Sequence, residues 1–425
     1  MKSELKLPAN IPIEIQVEII KHLPIKSLIL CTSLSKLFNS IIKSPLFITE
    51  HSVRYNQQHY LLARYDLNIN HEFQLNHVSV IENDNFPQIK LPILNVPDTI
   101  DRIDVIVVSS SHGLLCLFKR SNNNIGGKCF LWNPSIRRCI VIPIPNASSF
   151  VVGFGVCRDS IDPKLVKIRR YGNIATSNSV NLDVEVYSVS SGVWRTIHSD
   201  KPRKSVSLNL SQVVINGIIY FLAKDDSRRT CNGYCQNMII TFDLKSEKFG
   251  ELYFPDSLAR SSGGLFLSKR MESLAIIDDY KKGNQQVCDV WIMKHGVPNS
   301  YDKLFTFKAP KDSCYQVLGF RKNGLPILSR LGPNIYSFEV YGPCSKEFTD
   351  LEVFGNGNSM IEVTVDSLAE TLLLIDQPNT MLINEDTDDD DDEDDDIKDD
   401  DEDDDNDGTD DDDEDAGTVD GCVLS

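Results

Sequence analysis

Ile11, Ile13, Ile15, Val17 and Ile19 alternate with other residues near the start of the chain, the two-residue period of a strand. A second period runs through the same stretch. Ile15, Ile19 and Leu23 recur every fourth position, Pro12 suits a first helical turn, Glu14 suits its positive end, and Pro24 closes the segment. Between residues 26 and 47 the pattern is helical. Leu30, Leu34, Leu37, Phe38, Ile41 and Ile42 repeat at three and four, and Pro45 is expected to stop them.

From about residue 55 to 375 the texture becomes β. Short aromatic and β-branched runs alternate with Gly, Asn and Ser turns. Five segments share one plan of strand, polar turn and strand, and carry Trp132, Tyr187, Phe242, Trp291 and Phe338 at intervals of 55, 55, 49 and 47 residues. A period near 50 predicts a kelch-like β-propeller, whose blades cannot bury both faces alone and so stack in a ring; six or seven blades fit the span. A β-sandwich is the alternative that the spacing leaves open.

Charge divides the chain differently. Of its 62 acidic residues, 26 lie in 385–425 beside a single lysine, so this tail carries −25. The remaining 36 acids against 42 bases leave the body near +6. The tail has almost no apolar residues to offset its ordering entropy and is expected to be disordered. As a polyanion it is expected to attract basic proteins and to compete with acidic ligands of the body.

Candidate chemistry adds little. The eleven cysteines form no Cys-x-x-Cys pair, and the ten before Cys422 are expected to be reduced, within a cytoplasmic or nuclear protein. The opening "MKSELKLPAN" is unlike a secretory leader, and no apolar run approaches a membrane span. Eight histidines stand apart from any Cys or Ser nucleophile motif. His112, before Gly113, reads as a turn residue, and "GFGVCR" (153–158) lacks the third glycine of a dinucleotide loop and reads as a strand turn. Asp403, Asp405, Asp407, Gly408 and Glu414 match the spacing of a calcium loop, a match that an Asp-rich run generates by composition. No catalytic residue, cofactor, structural metal or nucleic-acid partner is expected. The terminal "CVLS" does carry chemistry. Cys422 followed by two aliphatics and Ser fits a prenylation box favouring farnesyl. One lipid without an upstream polybasic segment predicts only a weak, reversible membrane contact.

Two longer patterns resemble a known family. "IPIEIQVEIIKHLPIKSLILCTSLSKLFNSIIKSPLF" (11–47) is similar to an F-box: Ile11-Pro12 stands for its Leu-Pro start, followed by Glu14, Glu18-Ile19-Ile20, Leu23-Pro24 and Lys26-Ser27-Leu28. Leu30 replaces the family's Arg and Phe38 its Trp. The β region resembles the F-box-associated domain of plant F-box proteins through "SSHGLLCL" (110–117), "LWNPSIRR" (131–138), "VEVYSVSSGVWRTI" (184–197), "VINGIIYFLA" (214–223), "ITFDLKSEKF" (240–249) and "VWIMKHG" (290–296), in order. The family's Asp-Asp-Tyr-Lys-Val-Val is degraded to "IDPKLVKI" (161–168).

The resemblance implies a mostly β protein: a three-helix F-box over 5–50, a propeller-like target-binding domain over 55–375, and an Asp-rich tail over 385–425. It implies a non-enzymatic substrate receptor of a cullin-type ubiquitin ligase. Ile11, Pro12, Ile15, Ile19, Ile20, Leu23, Pro24 and Leu28 would bind a Skp-type adaptor and, through it, the cullin and ring-finger subunits. The propeller would capture a target protein whose identity the sequence does not name. Two other readings are a propeller scaffold without ubiquitin transfer and an acidic-tail binder of basic proteins.

Overall fold

The computed structural model describes residues 11–55, 59–69, 72–81, 88–90, 105–120, 127–145, 150–171, 181–199, 202–229, 235–294, 297–310, 313–331, 335–356, 364–377 and 381–382. The expectations for the acidic tail, the calcium-loop match and Cys422 lie outside these residues.

Four helices open the chain: α1 (Ile13–Ile20), α2 (Ile25–Leu34), α3 (Lys36–Ile42) and α4 (Pro45–Tyr55). The strand period in 11–19 loses to the helical one, because Pro12 and Pro24 bracket a single helix. Three helices were expected. The run from 26 to 47 breaks at Ser35, which adopts extended backbone and caps α3 by accepting a 3.0 Å hydrogen bond from the Phe38 amide. Pro45 begins a helix rather than ending one, since the first helical position needs no amide hydrogen.

The strands form six sheets, one after another. The first contains β1 (His59–Ile69), β2 (Glu72–Ile81) and β3 (Gln88–Lys90). The second contains β4 (Val105–Ser111), β5 (Leu114–Arg120), β6 (Gly127–Asn133) and β7 (Arg138–Ile144). The third is β8 (Phe150–Val156), β9 (Pro163–Tyr171), β10 (Asn181–Ser188) and β11 (Val193–Ile197). The fourth is β12 (Val206–Ile215), β13 (Ile218–Arg229), β14 (Cys235–Asp243) and β15 (Lys248–Tyr253), followed by a short α5 (Asp256–Ala259). The fifth is β16 (Gly264–Arg270), β17 (Ser273–Lys282), β18 (Gln285–Met293) and β19 (Tyr301–Lys308). The sixth is β20 (Cys314–Phe320), β21 (Pro326–Leu331), β22 (Ile335–Gly342) and β23 (Glu347–Asn356).

Two late strands return to the beginning. β24 (Thr364–Ala369) pairs antiparallel with β1, and β25 (Met381–Leu382) joins the edge of the second sheet beside β7. Neighbouring first strands β4, β8, β12, β16 and β20 lie side by side, and β24 lies between β20 and β4, so the ring closes through a strand from the far end of the chain. This is a β-propeller. Five of the six sheets are four-stranded blades, against the six or seven that the period suggested, and the sheet bearing Trp132 takes β25 as a fifth strand.

The repeat read from the sequence has a structural meaning. Trp132, Tyr187, Phe242, Trp291 and Phe338 all sit on the third strand of their sheets, near the turn into the fourth. The core lies between blades. Val166, Ile168, Val184 and Val186 of the third sheet pack with Ile219, Phe221, Ile240 and Phe242 of the fourth. Gly153 and Gly155 sit within β8, not in a turn. A Cβ at Gly153 would stand 2.5 Å from the Phe221 ring, and one at Gly155 would stand 2.7 Å from Leu244. The spaced glycines therefore let the next blade approach.

A charged clamp joins the same two blades. Glu247, after β14, accepts from Lys164 of β9 at 2.8 Å and pairs with Arg195 of β11. Burial alone would raise the Glu247 carboxyl, but the hydrogen bonds and charges of Lys164 and Arg195 outweigh it and hold the group below its ordinary value. A lowered folded-state value contributes stability above the unfolded value of about 4.3, and that contribution is lost as the pH falls. Glu247→Gln is expected to melt earlier than the wild type at pH 7, with the difference closing below about pH 4; parallel thermal melts across that range check it.

Candidate docking surface on the amino-terminal helices

Each of the four helices buries one stripe and exposes another. Ile20, Ile25, Leu28, Ile42, Phe47 and Ile48 are buried, with Leu23, Phe38 and Ile41 packed against them. Lys21 at the end of α1 reaches Glu50 of α4 at 2.6 Å, and this hydrogen bond raises the lysine's pKa. The imidazole of fully buried His51, also on α4, approaches the Leu23 carbonyl at 3.2 Å and stacks on Phe47 with 6.1 Å between centroids. The buried cluster continues into Leu372–Ile375, Ile140 and Ile142, so the helices share a core with the second blade and the segment after β24.

The opposite stripe is apolar and open to solvent. Ile11, Ile15, Ile19, Leu30, Leu34, Leu37 and Leu46 are all exposed, Leu34 to 72%. They make up seven of the thirteen exposed large hydrophobic side chains among the described residues, within 36 positions of the chain. Such density marks a surface built to be covered.

The predicted site residues divide accordingly. Ile11, Pro12, Ile15, Ile19 and Pro24 are exposed, while Leu23 is half-buried. Ile20 and Leu28 are 6% and 0% exposed and belong to the core behind the surface. Leu30, Leu34, Leu37 and Leu46 were not among the predicted contacts. Their signal was present: Leu30 and Leu34 are four apart on α2, out of phase with Ile25 and Leu28. Leu30, where the sequence departs from the F-box pattern, occupies a solvent-facing position that suits an arginine equally well.

Among the described residues no group of three His, Cys, Asp or Glu side chains is placed to hold a metal. The nine described cysteines are free thiols. Burial pushes the Cys139 thiol up to about 12, leaving it protonated and unreactive. His112 has φ +50 in the β4–β5 hairpin turn.

The fold is thus a β-propeller preceded by four helices that each leave apolar side chains exposed. The F-box domain model matches residues 9–50, and the F-box associated beta propeller domain model matches residues 65–351. The chain belongs to the family of F-box proteins that carry an F-box-associated β-propeller. Its relatives in Arabidopsis thaliana include putative F-box protein At4g38870, 27% identical over 71% of this chain and 68% of the relative. F-box/kelch-repeat protein At3g23880 is 24% identical over 73% and 82% of the two chains. F-box protein CPR1 is 26% identical over 71% and 74%.

Proposed function

We propose that the chain is the substrate-recognition subunit of a cullin-type ubiquitin ligase. The exposed isoleucine and leucine face of the F-box carries this reading, because it is large, continuous with a formed core, and covered by nothing in the chain's own described residues. A Skp-type adaptor covers it, and the cullin and ring-finger subunits assemble through that adaptor. The propeller holds a target protein. The chain itself performs no bond chemistry. It raises the effective concentration of target lysines beside the charged conjugating enzyme.

The test is reconstitution. The full chain is mixed with a Skp-type adaptor, cullin, ring-finger subunit, conjugating enzyme and ubiquitin, and the chain's own lysines serve as the reporter. Ubiquitin should appear on the chain in the complete mixture and not when the adaptor is omitted. Adaptor binding without transfer would instead support a scaffold, and absence of adaptor binding would overturn the proposal.

A further inference from the structure

Residues 369–375 lie between the ring seam, the second sheet and the helices. Ala369 ends β24, the strand that closes the ring by pairing with β1, from His59 opposite Ala369 to Arg64 opposite Thr364. The residues that follow press on the second sheet. The Thr371 amide donates to the Ser135 hydroxyl at 3.4 Å. A Cβ at Gly113, in the β4–β5 turn, would stand 2.0 Å from the Ala369 carbonyl oxygen and 2.8 Å from the Thr371 methyl. Gly113 also has φ +78, so a side chain there would be both strained and obstructed. Thr371 through Ile375 are at most 6% exposed, and Leu372–Ile375 share one buried cluster with Ile20, Ile25, Leu28, Ile42 and Phe47 of the helices.

This strap contains a strained turn. The Ile375 amide donates to the Leu372 carbonyl at 3.1 Å, and Leu374, the third residue of that turn, has φ +71. Gly or Asn is usual at such a position, and a branched side chain persists there only where its surroundings impose it. The second sheet imposes it from one side and the helices from the other. The helices in turn rest their inner stripe on the strap and leave their outer stripe bare. A partner that recognises the outer stripe needs the helices in this packing, and this packing includes the strap.

We propose that residues 369–375 couple adaptor docking on the helices to closure of the propeller ring. The inference rests on the receptor reading above and adds a regulation to it. With the seam closed, β24 delivers the strap to the helices, and the outer stripe is presented in one geometry. With the seam open, β24 leaves β1, the strained turn relaxes and the inner stripe loses its support. The adaptor prefers the first state, so it holds the seam shut, and by reciprocity a weakened seam lowers adaptor affinity. The ring that captures the target is therefore most firmly closed when the chain is assembled with its adaptor.

Hydrogen exchange of the full chain, with and without a Skp-type adaptor, tests the coupling. A ligand that binds only the closed state suppresses opening by about 100-fold when present at about 100 times its Kd. Exchange in 59–64, 364–369 and 371–375 is expected to slow by about tenfold or more, while β13 and β14 of the fourth sheet change by less than about twofold. Slowing confined to α1–α4 would overturn the coupling and sustain the F-box reading. Equal slowing at β13 and β14 would show uniform stabilisation and overturn the coupling as well. Absence of adaptor capture would overturn the F-box reading, and the proposal with it. Gly113→Ala tests the reverse direction: it should speed exchange in 364–375 and weaken adaptor capture by about threefold or more. Gly283→Ala places the same kind of strain, at φ +63, in the β17–β18 turn, where a Cβ would meet nothing within 4 Å. It should leave both readings within about twofold. Equal loss of capture in the two glycine variants, or full capture by Gly113→Ala despite faster exchange of the strap, would refute the coupling.

Discussion

Ile15→Glu combined with Ile19→Lys is expected to reduce capture of a Skp-type adaptor by at least 100-fold while leaving the melting temperature unchanged or slightly raised. Both side chains are about half exposed, so neither substitution opens the core. The charges favour the helix. A glutamate in the first turn of α1 and a lysine in its last turn match the helix dipole, and the pair lies in the stabilising i, i+4 order. At the interface the outcome reverses. Two apolar contacts worth roughly 1.5–3 kcal/mol each on burial are replaced by charges that must be desolvated. Leu28→Ala is the counterpart inside the core. It should cost about 2–5 kcal/mol of stability and lose adaptor binding only through unfolding. Pull-down beside thermal melts separates the two cases. Adaptor binding that survives the α1 double substitution at full strength would refute the assignment of this face.

Asn133→Ala is expected to cost the fold about 3 kcal/mol and to release the segment after β24. Asn133 is fully buried at the end of β6, within the "LWNP" signature. Its amide nitrogen donates to the Thr371 carbonyl at 2.9 Å and to the Leu373 carbonyl at 2.7 Å, and its oxygen accepts from the Ser135 amide at 2.9 Å. Removing the side chain leaves three backbone groups unsatisfied in a buried setting, at about 1–3 kcal/mol each before relaxation or water entry. Asn133→Asp should be worse than Ala. It keeps the acceptor for Ser135 but turns a carboxylate oxygen toward two carbonyl oxygens. Since Leu372–Ile375 share a buried cluster with the helices, the loss should reach the F-box as well. Hydrogen exchange would show faster opening of both 371–375 and α3. A stability loss below about 1 kcal/mol, with unchanged exchange at 371–375, would remove Asn133 from this role.

Much of this architecture was legible before any coordinates. The third-strand aromatics mark the blades because each blade repeats the same strand-turn-strand unit, and a repeated local environment leaves a repeated local pattern. The helices were legible for the same reason, since prolines, caps and i, i+4 spacing act within a few residues. Asp162 shows the limit of motif reading. The degraded "IDPKLVKI" still supplies the carboxylate that holds the β10–β11 turn through Ser188 and Ser190.

Periodicity reports that a stripe is apolar, and it does not report what covers the stripe. Ile19 and Ile20 are adjacent and chemically identical, yet one is 51% exposed and the other 6%. Only the packing of α2, α3 and α4 decides which of them enters the core and which is left for a partner. The glycines of "GFG" looked like backbone freedom for a turn, and the structure uses them as clearance for Phe221 and Leu244, more than 60 positions later in the chain. The same holds for the pairing of β1 with β24 and the fifth strand beside β7. Local propensity and period act between near neighbours, and so the sequence by itself determined the helices, the strand repeat and the acidic tail's charge. Ring closure, blade count and the facing of each stripe arise from contacts between residues far apart in the chain. Those contacts carry no local signature, and only the tertiary structure decided them.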